Sequence, residues 1–145
     1  MASAQNSSHK FLDHKADVLF EAEAPSFQEL VEESAVALLE TIARLEKLKP
    51  SESVVIEAKA ASLDELLVFA LGSLLSESDA RGVFFKSFKV SKFEKKGDGF
   101  LLQGVASGSK RSVEAGKTEV KAVTFHECSV TEKNGKWRAR VLLDV

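Results

Sequence analysis

The sequence contains a single cysteine, so no disulfide can form within the chain. It has no Cys/His pattern with the spacing of a zinc site. No glycine-rich phosphate loop leads into a helix, which argues against the common nucleotide-binding enzymes. No apolar run reaches about 18 residues, and no basic-then-apolar leader stands at the start, so we expect a soluble, cytoplasmic protein without a membrane span. What remains is a chain of 145 residues, 44% hydrophobic and 29% charged, which predicts one globular domain.

Charge is unevenly distributed along the chain. Residues 1–80 carry six Lys or Arg against 15 Asp or Glu, whereas residues 81–145 carry 14 against seven. This asymmetry indicates either a charged partner, such as nucleic acid, or simply the solvated outer faces of strands. The aromatic residues on the basic strands do not form the stacking platform of an RNA-recognition sheet.

Two segments are expected to lie outside the packed core. Residues 1–10 are small and polar and predict a flexible N-terminal tail, in which His9 has no expected role. Residues 107–116 are rich in glycine and basic side chains and predict a mobile loop. The domain itself is expected to span residues 11–145.

An internal repeat is visible at an offset of 36 residues, because residues 18–31 align with residues 54–67. Each copy is a short β-rich run followed by a capping box, in which a serine accepts from a free backbone N–H and a glutamate three residues later reaches back. Apolar residues then recur at helical spacing. The repeat therefore predicts a duplicated strand–helix unit, with capping boxes at Ser26/Glu29 and Ser62/Glu65.

The second half of the sequence has the period of strands. Two hairpins are indicated by their turn residues, and Asn-Gly is a strong signal for a type I′ turn. Strands after helices in this order predict an α+β fold, with two helices packed on one face of a mostly antiparallel sheet. The expected turns are 96–99 and Asn134-Gly135, and the strands that they join include 100–106, 120–130 and 136–143.

A two-residue turn at Asn134-Gly135 fixes which residues of the last hairpin oppose each other. Regular pairing places His126 opposite Leu143, on the apolar side that faces the core. Cys128 lies on the same side, where a free cysteine behaves as a small hydrophobe. A catalytic thiol is therefore not expected.

The other face of this hairpin carries two charged residues of interest. Regular pairing sets Phe125 opposite Asp144 and puts Lys121 on the same face, about 13 Å further along its strand at ~3.3 Å per residue. A β-bulge would change this register and could bring His126 round to that face.

Carboxylates cluster at both ends of the domain. Asp13, His14 and Asp17 precede the first strand of the repeat, and Asp144 is followed by the terminal carboxylate of Val145. Hard cations such as Mg²⁺ or Ca²⁺ require several oxygen ligands, which such a cluster could supply. The spacing alone equally allows Asp17 to be a turn residue and Asp144 a solvated chain end.

At these residues the sequence resembles the archease family. The likeness extends over nearly the whole chain from Phe11 onward. This chain differs from the usual family pattern in Lys15, where threonine is usual, in Phe125, where tyrosine is common, and in the segment 107–117. The stretches that carry the resemblance are 11–18, 63–67, 118–126 and 137–145.

Archeases are accessory proteins of the RtcB-type RNA ligase, which joins 2′,3′-cyclic-phosphate ends to 5′-hydroxyl ends in tRNA splicing and RNA repair. The resemblance implies that this protein is not an enzyme itself, but promotes GTP-dependent guanylylation of the ligase and its multiple turnover. It also implies a site for a divalent metal such as Ca²⁺, Mg²⁺ or Mn²⁺. By resemblance, the metal ligands are Asp17, Asp144 and the terminal carboxylate of Val145, and the residues for partner activation are Lys121, His126 and His14.

Two other functions are compatible with the residues. A stand-alone metal-dependent phosphohydrolase would use the same carboxylates, with His14 or His126 as general base. An RNA-binding or chaperone-like module would use the basic second half, and its RNA affinity would fall steeply with salt. A transient contact with RNA or nucleotide is also compatible with the function of an accessory protein of the RNA ligase. The sequence does not determine the oligomeric state. The basic residues concerned are Lys110, Arg111, Arg138 and Arg140.

Overall fold

The computed structural model describes residues 6–13 and 16–145. Two helices and seven strands confirm the α+β class. Within the described residues, no helix combines the length and the apolar character needed to cross a membrane. In chain order the elements are β1 (Ser8–Leu12), β2 (Val18–Ala24), α1 (Phe27–Ile42), a short 3-10 helix (Leu45–Lys47), β3 (Glu52–Ala60), α2 (Leu63–Arg81), β4 (Val83–Lys96), β5 (Gly99–Lys110), β6 (Ala122–Lys133) and β7 (Lys136–Asp144).

The strands form two sheets rather than the single sheet that the sequence suggested. One sheet has the order β1-β2-β7-β6 and the other β3-β5-β4, and every pair in the described residues is antiparallel. The division follows from the duplication, because each hairpin of the second half pairs with the strand of a different repeat copy. Helix α1 packs against β2 and β4, and α2 packs against β3 and β6, so each helix contacts both sheets.

The repeat is confirmed by the positions of the two helices. Helix α1 begins at Phe27 and α2 at Leu63, which are 36 residues apart. The hydroxyl of Ser26 accepts from the backbone N–H of Glu29 at 3.1 Å, and that of Ser62 accepts from Glu65 at 3.2 Å. Both serines have extended backbone, as N-caps require.

The core lies between the helices and the inner faces of both sheets. Large apolar side chains of both helices are fully buried there, as are residues of β2, β4 and β7. Because each helix meets two sheets, its buried surface is wider than a single stripe. The largest fully buried side chains include Phe20, Leu30, Leu38, Leu67, Leu71, Phe85 and Leu143.

The prediction of a flexible tail over residues 1–10 is wrong at its C-terminal end. Residues 8–10 belong to β1, which pairs with β2 from Ser8 opposite Glu23 to Leu12 opposite Leu19. The polar composition misled the prediction, because an edge strand with one solvated face needs few apolar residues. Residues 1–5 lie outside the described part of the chain.

The prediction of a mobile loop over residues 107–116 is also wrong. Strand β5 continues to Lys110, and the guanidinium of Arg111 donates to Asp79 at 2.6 Å and lies 5.2 Å from the centre of the Phe84 ring. Ala115 is buried, and its carbonyl accepts from the N–H of Arg44 at 2.7 Å. Contacts to the C-terminal end of α2 and to the residues just after α1 therefore order the segment 107–116, although its composition is typical of a loop.

Candidate functional site

The last hairpin begins as the sequence predicts. Asn134 and Gly135 have positive φ angles of 54° and 79°, which a type I′ turn requires. Lys133 pairs with Lys136, and Val130 pairs with Ala139. The turn therefore sets the register of the first part of the hairpin.

A β-bulge then interrupts strand β6. Ser129 pairs with Arg140, but the next pair is Thr124 with Leu142, so β6 advances five residues while β7 advances two. Glu127 within this bulge has a φ of 58°. Three additional residues in β6 shift the later pairs by about 10 Å along the strand.

The bulge brings Lys121 to Asp144. Asp144 pairs with Ala122 and not with Phe125, as regular pairing predicted. The backbone N–H of Lys121 donates to the carbonyl of Asp144 at 2.7 Å. The predicted separation along the strand is therefore wrong, because the bulge takes up the residues that would have separated the two.

Asp17 lies at the same end of the four-stranded sheet. Strand β2 begins at Val18, which pairs with Leu143, so Asp17 precedes β2 beside the strand end that carries Asp144. Since β7 lies between β2 and β6, Asp144 lies between Asp17 and Lys121. We call these three residues, together with Val145, the carboxylate–lysine corner.

The oxygen donors of this corner suit a hard divalent cation. Asp17, Asp144 and Val145 are half-buried, and Lys121 is exposed. Across residues 6–13 and 16–145, no three His, Cys, Asp or Glu side chains are grouped to hold a metal. The side-chain carboxylates of Asp17 and Asp144 are nevertheless of the ligand type that Ca²⁺ and Mg²⁺ prefer. His14 lies outside the described residues.

His126 does not face the core, contrary to the prediction. The bulge turns it outward, and its side chain is 77% exposed, with Nε2 3.7 Å from the carboxylate of Glu127. Phe125 is also exposed, and its ring meets that of Phe69 edge-on at a centroid distance of 5.6 Å. The outward turn of His126 is the alternative that a bulge was expected to produce.

Cys128 is half-buried in strand β6. Burial and the negative charge of Asp64 raise the pKa of its thiol to about 11. A thiol with such a pKa is almost entirely protonated at neutral pH and is a poor nucleophile. Its environment agrees with the expectation of a packing role.

His9 has contacts that the sequence analysis missed. Its Nδ1 bonds to the carboxylate of Glu33 and its Nε2 to that of Glu40. Burial lowers the pKa of His9, but the hydrogen bonds and charges of the two glutamates raise it by more, so that it lies above its usual value of 6.5. Two glutamates seven residues apart lie on one helix face, and this spacing was the available signal.

Most of the basic side chains considered for RNA binding are paired within the chain. The Nε of Arg138 donates to Glu23 at 2.9 Å, and that of Arg140 donates to Glu21 at 3.1 Å. The hydrogen bond from Arg140 lowers the pKa of Glu21. These pairs join acidic residues of the first half to basic residues of the second, which favours the interpretation of the charge asymmetry as solvated strand faces.

The structure defines an α+β protein with two antiparallel sheets and a carboxylate–lysine corner at the end of one of them. The model of the Archease protein family (MTH1598/TM1083) matches residues 9–145. The chain is 35% identical to protein archease of Methanopyrus kandleri over 136 residues, covering 92% of this chain and 96% of that protein. The chain therefore belongs to the archease family.

Solved structures agree with this assignment. The solution structure of Methanobacterium thermoautotrophicum protein 1598 superposes with a TM-score of 0.81 at 30% identity, covering 94% of this chain and 98% of that one. A crystal structure of an archease of Thermotoga maritima, described as a possible chaperone, has a TM-score of 0.61 at 19% identity and covers 94% of this chain and 96% of that one. At that identity the second likeness concerns the fold.

Proposed function

We propose that this protein activates an RtcB-type RNA ligase in the cytoplasm, by promoting GTP-dependent guanylylation and repeated turnover of the ligase. Membership of the archease family supports the choice of the RNA ligase as the partner. The observation that carries the proposal is the β6 bulge, which brings Lys121 to one side of Asp144, with Asp17 on its other side. In this role the protein is an accessory factor for RNA joining in tRNA splicing and repair, without a reaction of its own.

The metal proposal rests on the donors of the carboxylate–lysine corner. Asp17, Asp144 and the main-chain carboxylate of Val145 would hold a divalent cation, Ca²⁺, Mg²⁺ or Mn²⁺. When bound, such an ion supplies positive charge that stabilises phosphate oxygens. The carboxylates fix its position at the sheet end, where a partner or its nucleotide can reach it.

The side chains around the corner would act by charge and hydrogen bonding. Lys121 is exposed one residue before β6, so its ammonium is free to meet a phosphate of the partner's nucleotide. His126 stands out of the bulge and can donate to the partner surface. His14 is included on the family resemblance alone.

The test is multiple-turnover joining of a cyclic-phosphate RNA by the cognate ligase with GTP. Wild type is compared with Asp144→Asn and with Asp98→Asn, an exposed turn residue between β4 and β5 of the other sheet. We expect Asp144→Asn to lose the stimulation, because it removes one carboxylate charge from the corner, and Asp98→Asn to retain it.

Metal binding is measured on the same variants without the ligase. A cation at a hundredfold excess over its dissociation constant stabilises a folded protein by about 2.7 kcal/mol, which denaturant unfolding resolves. Wild type should show this gain with Ca²⁺ or Mn²⁺, and Asp144→Asn should need at least about tenfold more metal. Equal stimulation of the ligase by wild type and Asp144→Asn would contradict the role of the corner.

A further inference from the structure

An exposed aromatic pair lies beside the carboxylate–lysine corner. Phe69 of α2 is 41% exposed and Phe125 of the bulge is 51% exposed, and their rings meet edge-to-face. The two rings form part of the lining of an open groove of about 440 Å³. We call this feature the aromatic groove; its other lining residues are Val68, Gly72, Ser73, Ser76, Glu77 and Val123.

The bulge that forms the corner also displays the groove. Phe125 is the first of the residues between the pairs of Thr124 and Ser129, and the interruption turns it outward. Val123, which lines the groove, pairs with Leu143, the residue directly before Asp144. The groove and the corner therefore lie near the same end of β6 and β7, with Val123 on the sheet face that α2 covers and Asp144 on the opposite face.

Small residues of α2 keep the groove open. A side-chain Cβ built on Gly72 would meet nothing within 4 Å, so the space above this turn of the helix is empty. An aromatic wall beside small residues can admit one apolar side chain of a partner, which is the usual form of a binding hot spot.

The surroundings of the groove are acidic. Helix α2 carries four carboxylates and one cation; Glu77 pairs with Arg81 at 2.7 Å and Asp79 with Arg111 at 2.6 Å, so the net negative charge comes from Asp64 and Glu65. Asp64 is close enough to β6 that its charge acts on Cys128, and Glu127 lies two residues from Phe125. Negative charge of this kind repels RNA phosphates and attracts a basic protein surface.

We propose that the aromatic groove is the docking surface for the RNA ligase, and that it receives an apolar side chain from a basic part of the ligase. This inference rests on the proposed function. The partner fits by charge, because a protein that binds RNA ends and GTP is positively charged around those ligands. Docking here would bring the carboxylate–lysine corner to the ligase while the groove supplies the binding energy.

The variant that tests docking is Phe69→Lys. Lysine keeps the helix propensity of an exposed α2 position and places a cation where a basic partner is expected. The matched control is Val55→Lys on β3, where Val55 is 70% exposed between the buried Val54 and Ile56, on the sheet face turned away from the helices. Circular dichroism and thermal unfolding of both variants establish that they fold.

The measurement is ligase stimulation as a function of the concentration of this protein. Phe69→Lys should raise the concentration for half-maximal stimulation by at least about tenfold, with the same maximum at saturation. Val55→Lys should match wild type. Direct binding to the ligase, measured by calorimetry, should weaken by the same factor.

Three results would overturn the inference, and they are distinguishable from one another. Unchanged half-saturation by Phe69→Lys, with full stimulation by wild type, removes the docking surface but leaves the proposed function. A dimer of wild type that Phe69→Lys dissociates assigns the groove to a second copy of the chain. Absence of both stimulation and binding by wild type removes the proposed function and this inference together.

Discussion

Glu127 has an unusual backbone conformation within the β6 bulge. Its φ of 58° lies in the left-handed region, which costs a non-glycine residue about 1 to 2 kcal/mol. Backbone strain of this kind persists only where the surroundings determine it, and it is concentrated at functional sites. Here it accompanies a bulge that exposes Phe125 and His126 and brings Lys121 to Asp144.

Cys128, the next residue, gives a prediction about reactivity. Since burial and Asp64 raise the pKa of its thiol to about 11, little thiolate exists at pH 8. We expect alkylation by iodoacetamide to be about a hundredfold slower than for an unperturbed thiol in a peptide. Mass spectrometry of timed samples measures the rate. A rate equal to that of the peptide would show that Cys128 is neither buried nor close to Asp64.

At the scale of elements, His9 connects the edge strand β1 to helix α1 through side-chain hydrogen bonds. Its ring bonds to Glu33 and Glu40, and it also meets Phe11 edge-on at 5.6 Å. Among the described strands, β1 pairs with β2 alone, so this side-chain attachment adds to a single ladder of backbone hydrogen bonds. The attachment depends on the charge of the imidazole.

The replacement His9→Gln should therefore destabilise the protein in a pH-dependent way. Because the pKa of His9 is raised on folding, its contribution to the free energy of unfolding is complete below pH 6.5 and is lost as pH rises through the folded-state pKa. We expect a loss of about 1.5 to 3 kcal/mol near pH 6, the usual value of a hydrogen bond to a charged group, and a smaller loss near pH 9.

Urea unfolding of wild type and His9→Gln across this range measures the difference. The control is His126→Gln, since the side chain of His126 is 77% exposed. A loss that stays constant with pH would mean that the imidazolium pairs with neither glutamate.

At the scale of the whole molecule, the helices carry mostly negative charge, whereas the positive charge is concentrated on the strands of the second half of the chain. The two helices carry eight carboxylates and one cation, whereas β7 carries three cations, Lys136, Arg138 and Arg140, that pair with carboxylates of β2. The chain thus presents an acidic helix surface beside the aromatic groove. The near-zero net charge of −2 conceals this division.

A prediction at this scale concerns the end of β7, which lies between β2 and β6 in its sheet. Residues appended after Val145 would convert its main-chain carboxylate into a neutral peptide carbonyl, so a C-terminal extension should lower metal affinity by about tenfold and reduce ligase stimulation. An equal extension before Met1 is the control and should change neither. Calcium titration followed by calorimetry measures the affinity. Equal affinities of the two extended chains would remove Val145 from the ligand set.

Local signals were sufficient for much of the fold. The capping boxes at Ser26 and Ser62 set the helix starts, and Asn134-Gly135 set the turn, because these features depend on residues within a few positions of one another. The polar strand β1 and the segment 107–116 were misjudged by the same local reasoning. Their order comes from partners distant in sequence, such as Glu33 for His9 and Asp79 for Arg111.

By itself, the sequence determined the α+β class, the duplicated strand–helix unit and the family of the chain. Only the tertiary structure decided that the sheet is divided in two, that Lys121 lies against Asp144, and that Phe125 and His126 face solvent. The reason is that alternation assigns residues to faces only while the register continues, and a bulge of three residues changes every later pair at once. The hairpin that contains the bulge packs against β2 and α2, which are distant from it in the sequence.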